Sequence, residues 1–190
     1  MRKIIVLLLM AVITGSVQGQ ETQKQLPINI SYFGHSILHP GIEAGYENNF
    51  WGPFNFTVSI GTYVHQRNHT AAFLNAGINW RHTFPIGYSM EFGLGLGYLH
   101  TWQHGGPTYT VDDNGNVNKE IAIGRPSLMP SLKLGLLGWD FRKKTSIPLR
   151  INVDAIAFGQ YPYNNFIMPR FALKAGATYY FDIPAGGNSK

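Results

Sequence analysis

Two sets of side chains in this sequence could do chemistry. The first is charged: Glu43, Glu47, Glu91 and Asp154, with Arg81, Lys133, Arg150, Arg170 and Lys174, all on the polar side of alternating segments. On an extended chain, residues two apart share a face. Charges gathered on one buried face must pair, because isolated burial is costly. The second set is imidazole. Six of the seven histidines (His35, His39, His65, His69, His100 and His104) lie near the ends of apolar segments. Imidazole is the commonest metal ligand and can act as a general base. His65, His69, His100 and His104 are the candidate metal or anion ligands, although their spacing fits no zinc signature. The plainer reading is a rim of polar aromatics. Cysteine is absent, which excludes a disulfide framework and a thiolate metal centre. Nothing in the sequence calls for a cofactor. Gly93-Leu94-Gly95-Leu96-Gly97 lies inside an alternating run with no helix after it, so it is not a nucleotide-binding loop.

The elements that must position these groups read as strands. Phe54, Phe56, Val58, Ile60 and Val64 alternate with Asn55, Thr57, Ser59, Gly61 and His65. Tyr88, Met90, Phe92, Leu94, Leu96 and Tyr98 alternate with Ser89, Glu91, Gly93, Gly95 and Gly97. Phe171, Leu173, Ala175, Ala177, Tyr179 and Phe181 repeat the pattern near the C-terminus. A period of two places such sets on opposite faces of a sheet. Eight segments follow, at about 27–36, 41–49, 53–65, 70–83, 86–102, 127–139, 147–160 and 166–182. Their connections alternate in length. Phe84-Pro85 is a tight turn, whereas 103–126 is a long polar loop holding Asp112-Asp113-Asn114-Gly115, expected to be mobile. Several segments exceed the five or six residues usual in soluble strands. Tyr32, Trp51, Trp80, Trp102, Trp139, Tyr161 and Tyr179 fall near segment ends, where interfacial aromatic girdles would sit.

Composition and the N-terminus narrow the class. Only 13% of residues are charged, and glycine and aromatics are abundant. Arg2 and Lys3 precede ten apolar residues at 4–13, followed by Val17 and Gly19 at plausible −3 and −1 positions before Gln20. This is the pattern of a secretory signal peptide, expected over 1–19, with the mature domain at 20–190. Its removal lowers the formal charge from +5 to about +3, and no basic cluster interleaved with aromatics remains, so nucleic acid is not an expected partner. A mature chain without a long apolar helix can enter a membrane only as a closed barrel. The fold expected is all-β: an eight-stranded antiparallel up-and-down transmembrane barrel. The charged set then points into a lumen too narrow for an open pore, where it forms an ion-pair plug.

The last strand reads Lys174-Ala175-Gly176-Ala177-Thr178-Tyr179-Tyr180-Phe181. It resembles the C-terminal assembly signal of bacterial outer-membrane barrels, through Lys174, Gly176, Tyr179 and Phe181, although nine residues follow Phe181. The whole mature chain is similar to the small eight-stranded outer-membrane family with OmpA-type and OmpX-type architecture. The resemblance implies a bacterial outer-membrane location, contact with outer-membrane lipids and insertion by the barrel assembly machinery. It does not fix an activity. The expected role is structural, or recognition through loops at 37–41, 66–69, 103–126 and 160–165. The alternatives are an outer-leaflet lipid-modifying enzyme and an accessory subunit of a larger envelope transport or secretion complex. The family's deacylases carry a His-x-Ser pair on one face. Here Gly34-His35-Ser36 places the two residues on opposite faces, against the enzyme reading.

Overall fold

The computed structural model of the chain describes residues 25–36, 38–105, 108–112, 114–120, 124–163 and 166–183. The signal-peptide segment lies outside the described residues. Eight long strands close a barrel: β1 (Gln25–His35), β2 (Gly41–Trp51), β3 (Phe54–His65), β4 (His69–Thr83), β5 (Tyr88–Gln103), β8 (Arg125–Asp140), β9 (Leu149–Tyr163) and β10 (Phe166–Asp182). Each pairs antiparallel with its barrel neighbours, in the order β1-β10-β9-β8-β5-β4-β3-β2. Closure runs from Gln25 opposite Asp182 to His35 opposite Ala172. A closed sheet has no free edge, so every strand finds partners on both sides.

Side-chain type follows the pleat. On β5, Met90, Phe92, Leu94, Leu96 and Tyr98 point outward and are exposed, while Ser89, Glu91 and Leu99 are buried inside. Ile30, Ile42, Ile60, Leu74, Ile78, Leu132, Leu134, Ile151 and Phe171 continue the exposed apolar surface around the barrel. Two bulges interrupt the ladder between β5 and β8 and between β8 and β9, at Ser89/Glu91 and Gly135/Leu137. A bulge inserts an extra residue and resets which face the next side chain takes. Leu136 and Leu137 are accordingly both exposed.

The two barrel ends differ. One carries tight turns at 52–53 and 84–87, and a short 3-10 turn (Phe141–Lys143) between β8 and β9. There Gly52 and Gly87 take positive φ, which glycine allows at no steric cost. Asp140 caps the 3-10 turn by accepting from the Arg142 backbone N–H. Arg142 is held protonated: burial disfavours its charge, but hydrogen bonding to Asp140 outweighs this and raises its pKa. The other end carries the longest connection, between β5 and β8. The segment expected as one long polar loop, 103–126, contains a hairpin: β6 (Thr108–Val111) and β7 (Val117–Glu120) pair antiparallel. The turn is organised by Asp112, which accepts from the backbone N–H groups of Asn114 and Asn116 and from the Asn116 side chain. Those bonds, the Asn116 side chain foremost, lower the Asp112 pKa.

Candidate functional site

The lumen is built in two tiers. In the tier toward the tight turns, charges meet across the barrel. Arg81 on β4 reaches Glu47 on β2 with both terminal nitrogens, at 2.7 and 3.1 Å, and Glu91 on β5 with Nε at 2.9 Å. Arg150 on β9 bridges the same two carboxylates, at 2.8 Å to Glu47 and 3.1 Å to Glu91. Lys133 on β8 bonds Glu91 at 2.6 Å, and the Tyr180 hydroxyl on β10 donates to Glu47 at 2.9 Å. Bidentate guanidinium–carboxylate geometry is the strongest form of such pairing. Beside this cluster, Lys174 pairs with Glu43 at 2.5 Å, and Asn152 donates to Asp154 at 2.6 Å. A cavity of about 60 Å³ lies beside these groups, lined by Asn29, Asn75 and Ser131 as well as Glu43, Glu47, Lys133, Arg150, Asp154 and Lys174. Eight of the nine charges expected inside therefore lie together, four carboxylates with four cations.

Arg170 stands apart from them, and the expectation that it joins the carboxylate network is corrected. Its Nε and Nη2 donate to Gln160 Oε1, at 3.2 and 3.1 Å, and its Nη1 lies 3.4 Å from His35 Nε2. The reason is the intervening tier, which is apolar. Phe33, Tyr63, Ala71, Phe73, Leu99, Met129, Ile156, Phe158 and Ala172 form one buried cluster inside the barrel toward the long loops. Phe33 is its centre, with ring centroids 4.8 Å from Phe73, 5.9 Å from Tyr63 and 6.1 Å from Phe158. Sequence reasoning missed this tier by treating the inward face as polar throughout. The signal was present: Tyr63 has the parity of Gly61 and His65, and Phe73 that of Asn75.

Histidines roof the aromatic tier. His35 stacks on Tyr63 at 4.7 Å, His39 on His65 at 3.7 Å and His65 on His69 at 5.4 Å. The four expected metal ligands are not gathered in one place. His65 and His69 belong to this roof, together with His35 and His39. His100 sits on the outer face of β5, 2.8 Å from the Tyr98 hydroxyl, with its ring tilted against Trp102 at 4.4 Å. His104 bonds Thr70 Oγ1 at 2.7 Å. Among the described residues, no group of three or more His, Cys, Asp or Glu side chains is set to hold a metal ion. The expected assembly-signal residues divide by face. Tyr179 and Phe181 lie exposed on the outside with rings 4.6 Å apart, while Lys174 and Gly176 face inward.

The closed eight-strand barrel with an outward apolar surface has the architecture of the small outer-membrane barrels. Solved structures share it. Neisserial surface protein A aligns over 83% of this chain and 96% of its own, with 14% identity and a TM-score of 0.54. The N-terminal barrel domain of Pseudomonas aeruginosa OprF aligns over 83% of this chain and all of its own, with 13% identity and a TM-score of 0.52. A de novo designed transmembrane barrel aligns over 86% of this chain, with 10% identity and a TM-score of 0.50. At these identities the likeness is one of fold. No described protein family matches the sequence, and no curated protein does.

Proposed function

We propose that the protein is an integral barrel of the bacterial outer membrane whose lumen is closed, and that it acts structurally or through recognition at its long-loop end. Closure rests on one observation, the Glu47–Arg81–Glu91–Arg150 cluster, which joins β2, β4, β5 and β9 across the bore. The apolar tier lies above it in the same lumen. An eight-stranded barrel is just wide enough for its own side chains, so neither tier leaves a wide channel. With the tight turns on the periplasmic side, the longest connection, between β5 and β8, faces outward, as in barrels of this type. Export would remove residues 1–19, and mass spectrometry of the mature chain should find Gln20 at its start. A retained Met1 would refute export by cleavage. Tyr179 and Phe181, on the lipid side of the last strand, suit recognition by the barrel assembly machinery. Planar-bilayer recording tests closure. The purified protein should show only small, rare openings, and a stable conductance of porin size would refute it.

A further inference from the structure

Near the turn end, the outer face of the barrel is not smooth. A groove of about 630 Å³ runs across β5, β8, β9 and β10, walled by Tyr88, Leu137, Trp139, Phe141, Ile151 and Val153. Two features of the chain shape it. The β8–β9 bulge at Gly135/Leu137 turns Leu137 outward beside Leu136. Ala175, also in the lining, is a small outward side chain registered between Val153 and Tyr32. The edge of the groove carries a cation: the Lys144 ammonium stands 5.7 Å from the centroid of the Trp139 ring. Arg142 in the same turn is paired with Asp140. Lys143 and Lys144 are exposed and have no carboxylate partner among the described residues. A second outward groove, of about 640 Å³, is bordered by Phe54, Trp80, Phe92 and Leu94. Its tryptophan stacks on His82 instead of standing beneath a lysine.

We propose that the Trp139 groove is a site for one anionic glycerophospholipid of the leaflet at the turn end, with an acyl chain in the groove and the phosphate on Lys144, and with Lys143 beside it. In a bilayer the chain gains close packing against the groove walls rather than removal from water. That term is the same for any headgroup, so the lysines supply the selectivity. A lysine above an interfacial tryptophan extends to headgroup depth, where phosphates lie. Charge complementarity favours this occupant over a second copy of the chain. A two-fold interface through this face would set the same lysines on both sides of it, like charge toward like. The inference rests on the membrane location proposed above and adds which lipid is held and where.

The test uses the full chain folded in non-ionic detergent and titrated with phosphatidylglycerol or with phosphatidylcholine of the same chains. Native mass spectrometry counts the lipid retained. One phosphatidylglycerol should stay bound at concentrations where phosphatidylcholine does not. A lysine beside an anionic headgroup is worth about fivefold, so Lys144→Gln should weaken retention of phosphatidylglycerol about fivefold. Lys143→Gln combined with Lys144→Gln should abolish the preference for the anionic lipid. Ala175→Leu, which fills the groove, should weaken both lipids, and Ala76→Leu, in the second groove, should change neither. Heat-resistant migration on a gel confirms that each variant is folded. If Ala175→Leu does not fold, the exposed lysine changes still decide. Equal retention of the two lipids by the wild type overturns the proposal. So does an unaltered preference in the folded double-lysine variant, or unaltered retention in folded Ala175→Leu. A dimer without bound lipid assigns the face to a second copy and overturns it as well. A barrel that folds into phospholipid vesicles but shows no preference fails this inference alone. A chain that does not enter vesicles fails the membrane reading and this inference with it.

Discussion

Arg150 is the residue on which the charged tier turns. It is 3% exposed and holds Glu47 and Glu91 together from the far side of Arg81. Removing one partner of a buried ionic cluster leaves uncompensated charge, at a cost of about 3–5 kcal/mol. Arg150→Met should fall near the low end, about 3 kcal/mol, because Arg81 and Lys133 still face the two carboxylates. Urea unfolding of the barrel reinserted in lipid vesicles measures it. Arg150→Met combined with Glu47→Gln should cost less than the sum of the two single changes, since the pair is coupled. An effect below about 0.5 kcal/mol for Arg150→Met, the size expected of an ordinary surface substitution, would mean that the cluster does not hold the barrel together. The membership of this cluster was largely legible in the sequence. Strand parity assigns Glu47, Arg81, Glu91 and Arg150 to one face before any contact is known. Parity does not give height along the barrel, however. Arg170 shares the inward face yet lies beyond the aromatic tier, beside Gln160. Height also separates His65 from Arg81, and face separates His100 from His69.

At the scale of the element, β5 shows what the glycines are for. Gly93, Gly95 and Gly97 face the lumen opposite strands that carry Asn79, Asn75, Ser131 and Lys133. A Cβ on Gly95 would come within 2.5 Å of Ser131 Oγ and 3.0 Å of the Asn75 amide, and one on Gly93 would collide with Asn79. The missing side chains make room for the long ones across the bore. Gly93→Val and Gly95→Val should each destabilise the barrel by about 1–3 kcal/mol through overpacking. Gly105→Ala, where nothing lies within 4 Å of the new Cβ, should stay within about 0.5 kcal/mol. Thermal shift of the heat-modifiable gel band compares the three, and equal shifts would sink the space-making role. Most strands were legible because alternation runs unbroken for a dozen residues or more. Bulges were not. Leu136 and Leu137 both face outward, and a strict period of two assigns one of them inward. The β6–β7 hairpin was hidden for a different reason. Each of its strands has only four residues, too few for periodicity to stand out from a polar loop, although Asp112-Asp113-Asn114-Gly115 is a strong turn signal.

The whole molecule is inverted relative to a soluble barrel: its charges are largely inside, and a belt of leucine, isoleucine and aromatic side chains is outside. Among the described residues no helix is long and apolar enough to cross a membrane, and a barrel crosses with its strands. A soluble protein rarely exposes a continuous apolar surface of this extent. The belt is also ordered by depth. On β5, Leu94 and Leu96 lie near mid-strand, and Tyr98, His100 and Trp102 lead to the loop end. On β4, Trp80 and His82 stack at the turn end. If the belt faces lipid, an arginine should cost most at mid-depth. Leu94→Arg is then expected to destabilise the barrel by about 2–4 kcal/mol, while His82→Arg and His100→Arg, near the two interfaces, should cost about 0–1 kcal/mol. A surface facing water predicts a flat profile, with all three changes within about 0.5 kcal/mol. Unfolding equilibria from phospholipid vesicles read the difference directly. The three positions share an outward direction on adjoining strands, so only depth distinguishes them. A cost at Leu94 no larger than at His82 and His100 would contradict a membrane belt, whatever the fold resembles.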